Sequence, residues 1–441
     1  MDIIIAGAGR VGYRLAKTLS LKHNVTVIDR NANALGRLQE AIDIMPISGD
    51  IEDPDTYKIL IEKSFDIFIA VTDSDEANIL STLIADDIID VKRKIIRLRN
   101  RYFAKSSIAQ KLRIDDAVFP FVSTALSIKS LLDFSKANNV KDFIFTDYKL
   151  VSVQVQNSEL SIDYLHLLNN EKLVVVGFER EKKFFIPKKN DRIKQNDLIY
   201  LFGETSTIKQ LCSILDTETP KELNKVAIFG ADILGVEIAK ALLEKRVEIK
   251  VIEKDPFLCK RASEALQNRV MVINSKYIEH SLYEEENIKN ADMIIATSNE
   301  DEENIIKCLE AKEYGVKKTV AINNNMELYY LMHKLGIVAV RGPKSNAYYS
   351  ILEKIGSSSI ITEKHYCGGR GTIFMRKIFP NSTLIGKTIK PLKLEDLLSF
   401  YVRDGVIFDF SDKITLKEGD LIVIFLKSYL EEKIKDWIYN L

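Results

Sequence analysis

Residues 3–12 read IIIAGAGRVG, an apolar run that leads into a glycine-rich turn. A helical pattern follows from Tyr13 to Leu21, and the next β-rich run, residues 25–29, ends in Asp29. This order of strand, glycine turn, helix and acid-tipped strand is the sequence fingerprint of a Rossmann-type dinucleotide site. Because short apolar strands then keep alternating with helices, the pattern predicts a parallel sheet with helices on both faces.

The same landmarks occur a second time along the chain. Residues 226–235 read VAIFGADILG, and the acid that corresponds to Asp29 is Glu253. The block TDSDEAN from Thr72 is echoed by SNEDEEN from Ser298, and NDLIYLF at 196–202 by GDLIVIF at 419–425. Four landmarks recur in the same order at an offset of about 225 residues, which indicates a tandem duplication.

Each half is therefore predicted to contain a Rossmann-type, doubly wound parallel-sheet domain of the α/β class, followed by a small α+β domain. In the first half, Leu150 to Gln156, Lys172 to Phe178 and Leu198 to Phe202 read as strands around one short helix. A helical stretch from Val118 to Lys136 joins the two parts, either as a packing helix or as a crossover between domains or subunits. The predicted domain ranges are 1–117, 118–217, 218–343 and 344–441.

The composition argues against several classes of function. Lys plus Arg and Asp plus Glu each total 63, so net charge gives no bulk attraction to nucleic acid or anionic lipid. No segment has the roughly 20 apolar residues needed to cross a bilayer, and the sequence start lacks the pattern of a signal peptide. The four scattered cysteines favour a reduced, intracellular protein. Any role at a membrane would then depend on binding another protein.

The first glycine loop carries a recognisable binding chemistry. Gly7 permits the tight turn, Gly9 lets the backbone approach a pyrophosphate, and Gly12 lets the helix pack on the strand. The helix start offers unpaired N–H groups and about half a positive charge, which suits a phosphate. Asp29 is expected to bind a ribose and to repel a 2′-phosphate, which favours NAD(H), ATP or ADP over NADP(H). Arg30 weakens that discrimination, because an arginine can serve a 2′-phosphate.

Two arginines follow on a later strand, in the sequence IIRLR at 95–99. Arg97 and Arg99 alternate on one strand face and could clamp ligand phosphates at the same crevice. They could instead be surface residues held in ion pairs.

The second half departs from this pattern. Asp232 replaces the middle glycine and places a negative charge where a phosphate would lie. The positions aligned with Arg97 and Arg99 are Ala321 and Asn323. Because a charge-assisted hydrogen bond contributes about 1.5–3 kcal/mol, nucleotide binding there is expected to be weak or absent. Glu253 would still serve a ribose if a ligand binds.

Taken together, these motifs resemble the regulator-of-K⁺-conductance (RCK) domains in the doubled arrangement of the TrkA family, over nearly the whole chain. The resemblance implies that each Rossmann unit is an RCK N-domain followed by a small RCK C-domain. It further implies a cytoplasmic regulatory subunit of a Trk potassium-uptake system, peripheral on the inner face of the membrane. Its partner would be an integral-membrane, potassium-translocating subunit of the TrkH or TrkG type, bound by a homo-oligomer, a dimer or tetramer ring.

The resemblance also implies the ligand and its contacts. The cofactor would be NAD(H), with ATP or ADP as alternatives. The first-half contacts carried over from the family are Gly7, Ala8, Gly9, Arg10, Val11, Asp29, Thr72, Asp73 and Arg97. The second-half contacts would be Gly230, Ala231, Asp232, Ile233, Leu234 and Glu253.

Two other functions compete with this interpretation. A soluble NAD-dependent oxidoreductase would need a general acid or base, and none of the five histidines (His23, His166, His280, His333 and His365) has a recognisable catalytic setting. The run CGGRG at 367–371 has no evident partner base and is interpreted as a flexible connector. We therefore predict no enzymatic activity. A nucleotide sensor for a different cation transporter is the second alternative.

Overall fold

The computed structural model describes residues 1–157, 162–216, 221–275, 280–358, 360–380, 382–392, 394–410 and 415–441. The predicted domain boundary between residues 217 and 218 lies outside them, as does the side chain of His280. By contacts the chain divides into two compact units. Unit 1 contains Met1–Ala125 and Arg341–Lys354, and unit 2 contains Leu126–Val340 and Ile355–Leu441.

The first Rossmann sheet has the strand order β3-β2-β1-β4-β5-β6, with all paired strands parallel. The order reverses between β1 and β4, where open α/β sheets form a ligand crevice. Its strands are β1 (Asp2–Ala6), β2 (Asn24–Asp29), β3 (Met45–Ser48), β4 (Ser64–Ala70), β5 (Asp90–Arg97) and β6 (Asp116–Val118). The helices are α1 (Arg10–Leu19), α2 (Ala32–Ala41), α3 (Asp75–Ile88), α4 (Arg101–Lys105), α5 (Ile108–Lys111) and α6 (Pro120–Asp133).

An antiparallel sheet of order β10-β9-β11-β8-β7 follows. It is formed by β7 (Ala137–Lys141), β8 (Lys149–Gln154), β9 (Leu173–Arg180), β10 (Lys183–Phe185) and β11 (Leu198–Gly203), and α7 (Thr205–Leu215) packs against it. The antiparallel strands, together with this helix, confirm the small α+β domain expected after the first Rossmann unit.

The second half repeats both layers. The order β14-β13-β12-β15-β16-β17 reproduces that of the first sheet, and an antiparallel sheet of order β18-β19-β22-β20-β21 follows. The strands are β12 (Lys225–Phe229), β13 (Glu248–Glu253), β14 (Met271–Asn274), β15 (Met293–Ala296), β16 (Lys318–Asn323), β17 (Val338–Arg341), β18 (Ile361–Tyr366), β19 (Gly371–Lys377), β20 (Leu397–Arg403), β21 (Val406–Asp409) and β22 (Leu421–Lys427). The helices are α8 (Ile233–Leu243), α9 (Pro256–Ala265), α10 (His280–Glu285), α11 (Asp301–Glu313), α12 (Tyr329–Lys334), α13 (Pro343–Gly356) and α14 (Glu431–Tyr439).

The two small sheets share one hydrophobic core within unit 2. Phe202 of the first sheet lies 5.3 Å from Phe425 of the second, and Tyr200 lies 5.4 Å from Tyr366, measured between ring centroids. These four residues are all buried. Because aromatic side chains bury large apolar areas, this shared core stabilises both sheets together.

The segment 367–371 belongs to that core, and its prediction as a flexible connector is wrong. Cys367 is 4% exposed and packs with the aromatic residues of the two small sheets. The turn joins β18 to β19, and Gly368 and Gly369 have φ values of 65° and 88°. The glycines are needed because this tight turn uses left-handed backbone, which disfavours side chains.

Helices α6 and α13 exchange their packing partners between the two halves. Helix α6 begins in unit 1 and ends in unit 2, where Lys318 Nζ of β16 donates hydrogen bonds to the Ser135 and Ala137 carbonyls at 2.6 and 2.9 Å. In unit 1, Arg93 Nη2 of β5 donates to the Lys354 carbonyl of α13 at 2.8 Å. Arg93 therefore binds a carbonyl in the last turn of α13, and Lys318 binds carbonyls of the segment that directly follows α6. Of the two interpretations of residues 118–136, the crossover between domains agrees with these contacts.

No helix in the described parts of the chain combines the length and the apolar character required to span a bilayer.

Candidate functional site

A pocket of about 690 Å³ lies in unit 1 beyond the carboxyl ends of β1 and β4. This is the point at which the strand order reverses, and the glycine loop forms one wall. The lining residues are Gly7, Gly9, Arg10, Val11, Asp29, Arg30, Asp50, Ile51, Glu52, Val71, Thr72, Asp73, Ser74, Ala77, Arg97 and Lys344.

Gly7 and Gly12 have the separate structural roles that the sequence predicted. Gly7 has a φ of +112°, which side chains rarely adopt. A Cβ on Gly12 would lie 1.8 Å from the Gly7 carbonyl oxygen, so α1 packs this closely only with glycine there. Gly9 is the N-cap of α1 and gives it no side-chain cap. The first N–H groups of the helix therefore face the pocket without a hydrogen bond from an N-cap side chain.

Asp29 is held at the tip of β2 by backbone hydrogen bonds. Its Oδ2 accepts from the Ala8 N–H at 2.6 Å, and its Oδ1 accepts from the Asn31 N–H at 2.7 Å. Each carboxylate oxygen has a further lone pair. The side chain is thus oriented by the glycine loop while keeping acceptor capacity toward the pocket. Ala8 itself is buried and contributes through its N–H group, outside the pocket lining.

A buried asparagine organises the wall opposite the glycine loop. Asn78 Oδ1 accepts from the N–H of Thr72 at 2.9 Å and from its hydroxyl at 2.7 Å. Its Nδ2 donates to the Thr72 carbonyl at 3.1 Å and to the Arg97 carbonyl at 2.9 Å. These four bonds tie the end of β4 to the end of β5. The sequence analysis did not select Asn78, although its place in the repeated TDSDEAN block was the available signal.

Arg97 is a buried cation at the pocket wall. Its Nη1 donates to Asp73 Oδ1 at 3.0 Å and lies 3.3 Å from the Thr72 carbonyl oxygen. The side chain is 5% exposed, and its Nε has no hydrogen-bond partner among the described residues. Burial lowers the pKa of Arg97, while the Asp73 carboxylate opposes that shift. Arg97 therefore places a buried positive charge at the pocket wall, which suits an anionic ligand.

Arg99 does not line the pocket with Arg97. It follows the end of β5, its Nη1 donates to the Asp73 carbonyl at 2.8 Å, and its guanidinium carbon lies 5.2 Å from the Phe121 ring centroid. The structure therefore brings one arginine of the predicted pair to the pocket and uses the other to hold the loop that carries Asp73. Gly12 likewise lies behind the pocket, against the Gly7 backbone.

Sequence reasoning missed several lining residues. Asp50, Ile51 and Glu52 follow the end of β3 and could have been found, since parallel strands end at the same sheet edge. Lys344 gave no such signal, because it belongs to α13 of the second half and is more than three hundred residues from the glycine loop in sequence. Arg30 was considered only as a determinant of cofactor choice.

Residues 3–120 and residues 226–343 both match the TrkA-N domain, and together these segments exceed half of the chain. The chain belongs to the TrkA-N domain family. The resemblance inferred from the glycine loops and the repeated blocks is thereby confirmed.

Similar curated proteins align with the chain over its length. It is 26% identical to "Trk system potassium uptake protein TrkA homolog 1" of Methanosarcina mazei, over 96% of this chain and 97% of the relative. It is 25% identical to "Trk system potassium uptake protein TrkA" of Vibrio alginolyticus, over 98% of this chain and 97% of the relative. The GsuK channel has a TM-score of 0.65 at 18% identity, over 99% of this chain and 78% of that chain. The GsuK channel bound to NAD has a TM-score of 0.62 at 17% sequence identity, and the match covers 100% of this chain and 79% of that chain.

The second TrkA-N domain has a different helix start. Asp232 is the N-cap of α8, and its Oδ1 accepts from the Leu234 and Gly235 N–H groups at 3.0 Å each. The carboxylate therefore takes the N–H groups that Gly9 leaves uncapped in the first TrkA-N domain. Gly230 keeps the left-handed turn with a φ of +118°, as expected from Gly7.

The acid of the second TrkA-N domain also keeps its place. Glu253 is 4% exposed, and its two oxygens accept from the Ala231 and Asp255 N–H groups at 2.8 and 2.9 Å. Leu234 is buried, and Ile233 is exposed where Arg10 stands in the first domain. The fold of the loop is thus retained while its phosphate-facing chemistry has changed.

The predicted alignment of the two later strands is wrong by one residue. Strand register pairs Ala70 with Ile96 and Ala296 with Ala321, and Asn304 Nδ2 donates to the Ile322 carbonyl as Asn78 donates to that of Arg97. The counterparts of the two arginines are therefore Ile322 and Asn324, where the sequence alignment gave Ala321 and Asn323. The short strands contain no motif that fixes their register. The expected loss of both guanidinium groups holds under either alignment.

Proposed function

We propose that this chain is the nucleotide-binding regulatory subunit of a Trk-type potassium-uptake system. The observation that carries the proposal is the first pocket, where an uncapped helix start, an oriented Asp29 and a buried Arg97 converge. The full-length alignment with proteins named for Trk potassium uptake supports the biological setting. The four ranges 1–117, 118–217, 218–343 and 344–441 are proposed as its domains.

The ligand is proposed to bind across the strand-order reversal of the first domain. Its pyrophosphate would lie on the N–H groups at Gly9, Arg10 and Val11, with Gly7 at the turn. Asp29 would accept hydrogen bonds from the adenosine ribose. Thr72, Asp73 and Arg97 would contact the far end of the ligand, where the Arg97 guanidinium supplies positive charge for a phosphate.

NAD(H) and adenine nucleotides share the adenosine and phosphate groups that this pocket would recognise. Solved structures of GsuK bound to NAD and to ADP support both classes. NADP(H) is disfavoured, because its 2′-phosphate would approach the Asp29 carboxylate and the nearby acids Asp50 and Glu52. We propose NAD(H) as the principal ligand and ATP or ADP as competitors.

Regulation is proposed to proceed by differential binding, without catalysis. A ligand shifts a conformational equilibrium only by as much as it prefers one state over the other. The chain would act as a homo-oligomer on the cytoplasmic face of a membrane-embedded, potassium-translocating subunit.

The test is affinity purification of the tagged full-length chain from detergent-solubilised native membranes, followed by mass spectrometry of what is bound. Each purification is run without nucleotide, with NADH and with ATP, and Asp29→Ala is the matched control for nucleotide dependence. Recovery of a polytopic potassium transporter, with a yield that nucleotide changes in wild type and leaves unchanged in Asp29→Ala, is the expected result. Recovery of a different cation transporter or of no membrane protein contradicts the Trk assignment.

A further inference from the structure

Three metal-ligand side chains converge in the second small domain, away from the nucleotide pocket. Glu363 and His365 are two residues apart on β18 and therefore point to the same face of the sheet. Glu431 is the first residue of α14, which packs against this domain. One potential ligand atom from each side chain lies within 4.8 Å of the other two.

The distances within this triad suit a shared ion better than direct hydrogen bonds. His365 Nε2 lies 3.8 Å from Glu363 Oε1 and 3.4 Å from Glu431 Oε2. Well-formed N–H···O bonds measure about 2.7–3.2 Å. Two ligands placed about 2.0–2.1 Å from one tetrahedral ion stand roughly 3.3–3.5 Å apart. The His365–Glu431 distance already matches this spacing, and a small ion would draw Glu363 Oε1 closer than its present 3.8 Å from His365 Nε2.

The charges leave room for a bound cation. Lys435 Nζ lies 3.0 Å from Glu363 Oε2, so the lysine uses the oxygen that faces away from the histidine. Two carboxylates against one ammonium leave one excess negative charge when the imidazole is neutral. The Glu363 side chain is 3% exposed and that of His365 is 8% exposed, so solvent screens this excess poorly.

Neighbouring groups hold the carboxylates in place. The Thr372 hydroxyl donates to Glu431 Oε2 at 2.8 Å, which is the kind of outer contact that orients a metal ligand. On the other side, a Cβ on Gly356 would lie 1.9 Å from Glu363 Oε2. The carboxylate thus occupies space that exists only because α13 ends in glycine. The arrangement is built into the packing of β18, β19, α13 and α14.

We propose that Glu363, His365 and Glu431 form a binding site for a divalent transition-metal ion of the zinc class. The imidazole and two carboxylates are ligands suited to this class, and a water molecule would complete a four-coordinate site. Mg²⁺ and Ca²⁺ are poor candidates, because they prefer an all-oxygen shell. The bound ion would join the C-terminal helix α14 to strand β18.

The site is tested on the chelator-treated full-length chain with Co²⁺ and Zn²⁺ as probes. Wild type is expected to bind one Co²⁺ with the intense visible absorption of a tetrahedral centre, and Zn²⁺ is expected to displace it. His365→Gln and Glu431→Gln should each weaken Co²⁺ binding by at least about 100-fold. His166→Gln, which alters a histidine of the first small domain, is the matched control and should leave the spectrum unchanged.

A second measurement separates metal binding from a folding defect. Zn²⁺ should raise the melting temperature of wild type and of His166→Gln, and should leave that of Glu431→Gln unchanged. Glu431 is the more exposed ligand, with 28% of its side chain accessible, so this variant is the one expected to fold. Equal Co²⁺ affinity in wild type and both ligand variants, or no tetrahedral absorption in wild type, overturns the proposal.

Discussion

The helix start at Gly9 differs from that at Asp232 by one carboxylate, and exchanging the two residues tests what this carboxylate does. Gly9→Asp is sterically permitted, because an added Cβ would meet no atom within 4 Å and the φ of −65° is ordinary. Its side chain is expected to accept the first N–H groups of α1, as Asp232 Oδ1 accepts those of Leu234 and Gly235. A ligand phosphate would then compete with a fixed negative charge for the same donors.

The magnitude follows from the distance between the charges. Two unit charges about 4 Å apart repel by roughly 4 kcal/mol at an effective dielectric constant of about 20. Because about 1.4 kcal/mol corresponds to a tenfold change in affinity, Gly9→Asp should weaken nucleotide binding by roughly 1,000-fold. In the second domain, Asp232→Gly should expose the donors and create a second, weaker site. It should lower the free energy of unfolding by only a few tenths of a kcal/mol, because glycine is itself a tolerated N-cap residue.

Isothermal titration calorimetry of the full-length chain with NADH and with ATP measures both effects. Wild type is expected to bind one nucleotide per chain, Gly9→Asp none in the accessible concentration range, and Asp232→Gly two with unequal affinities. Gly9→Asn is the matched control, because it has the same size and capping ability without the charge. Wild-type affinity in Gly9→Asp, or two equal sites in the unmodified chain, would refute the reasoning.

Other changes probe the packing that supports the site. Burial lowers the pKa of Lys318 to about 7, whereas an unfolded lysine titrates near about 10.4. The free energy of unfolding of wild type relative to Lys318→Met should therefore rise between about pH 7 and pH 10, by at most about 1.4 kcal/mol per pH unit. If urea unfolding shows a difference between the two proteins that does not change with pH, this prediction is contradicted. Gly12→Ala forces a Cβ against the Gly7 carbonyl and should lower the free energy of unfolding by about 1–3 kcal/mol in the same assay. Gly36→Ala is the control, because a Cβ on Gly36 would meet no atom within 4 Å. Arg370→Met should cost about 2–3 kcal/mol, because it leaves the buried Glu179 carboxylate without its ion pair, and an unchanged melting temperature would exclude that role.

Sequence alone predicted the features of this chain that depend on local pattern. The strand, glycine turn and acid-tipped strand specify one βαβ unit, so the roles of Gly7, Gly12 and Asp29 follow from their spacing in the motif. The tandem duplication then carried the same prediction to Gly230 and Glu253. Both parallel sheets and both small α+β sheets agree with the predicted fold class.

The remaining features depend on contacts between segments that are distant in sequence. Lys344 lines the first pocket only because α13 packs in unit 1, and no local sequence pattern predicts this packing. The register of β16 against β15 decides whether Ala321 or Ile322 replaces Arg97, and a one-residue slip is invisible in an apolar run. Cys367 looked like part of a connector because glycines mark both mobile linkers and tight buried turns.

The exchange of α6 and α13 bears on how the two halves of the gene product depend on each other. Arg93 of the first half binds the carbonyl of Lys354 in α13, and Lys318 of the second half binds carbonyls of the segment that directly follows α6. If the peptide were cut between the repeats, the two fragments should stay together as a non-covalent pair, since neither contains all the segments of its own unit. Expressed separately, each fragment would lack the carbonyls that Arg93 or Lys318 binds in the intact chain. The two repeats can therefore differ in their ligand chemistry, but each needs segments of the other to complete its folded unit.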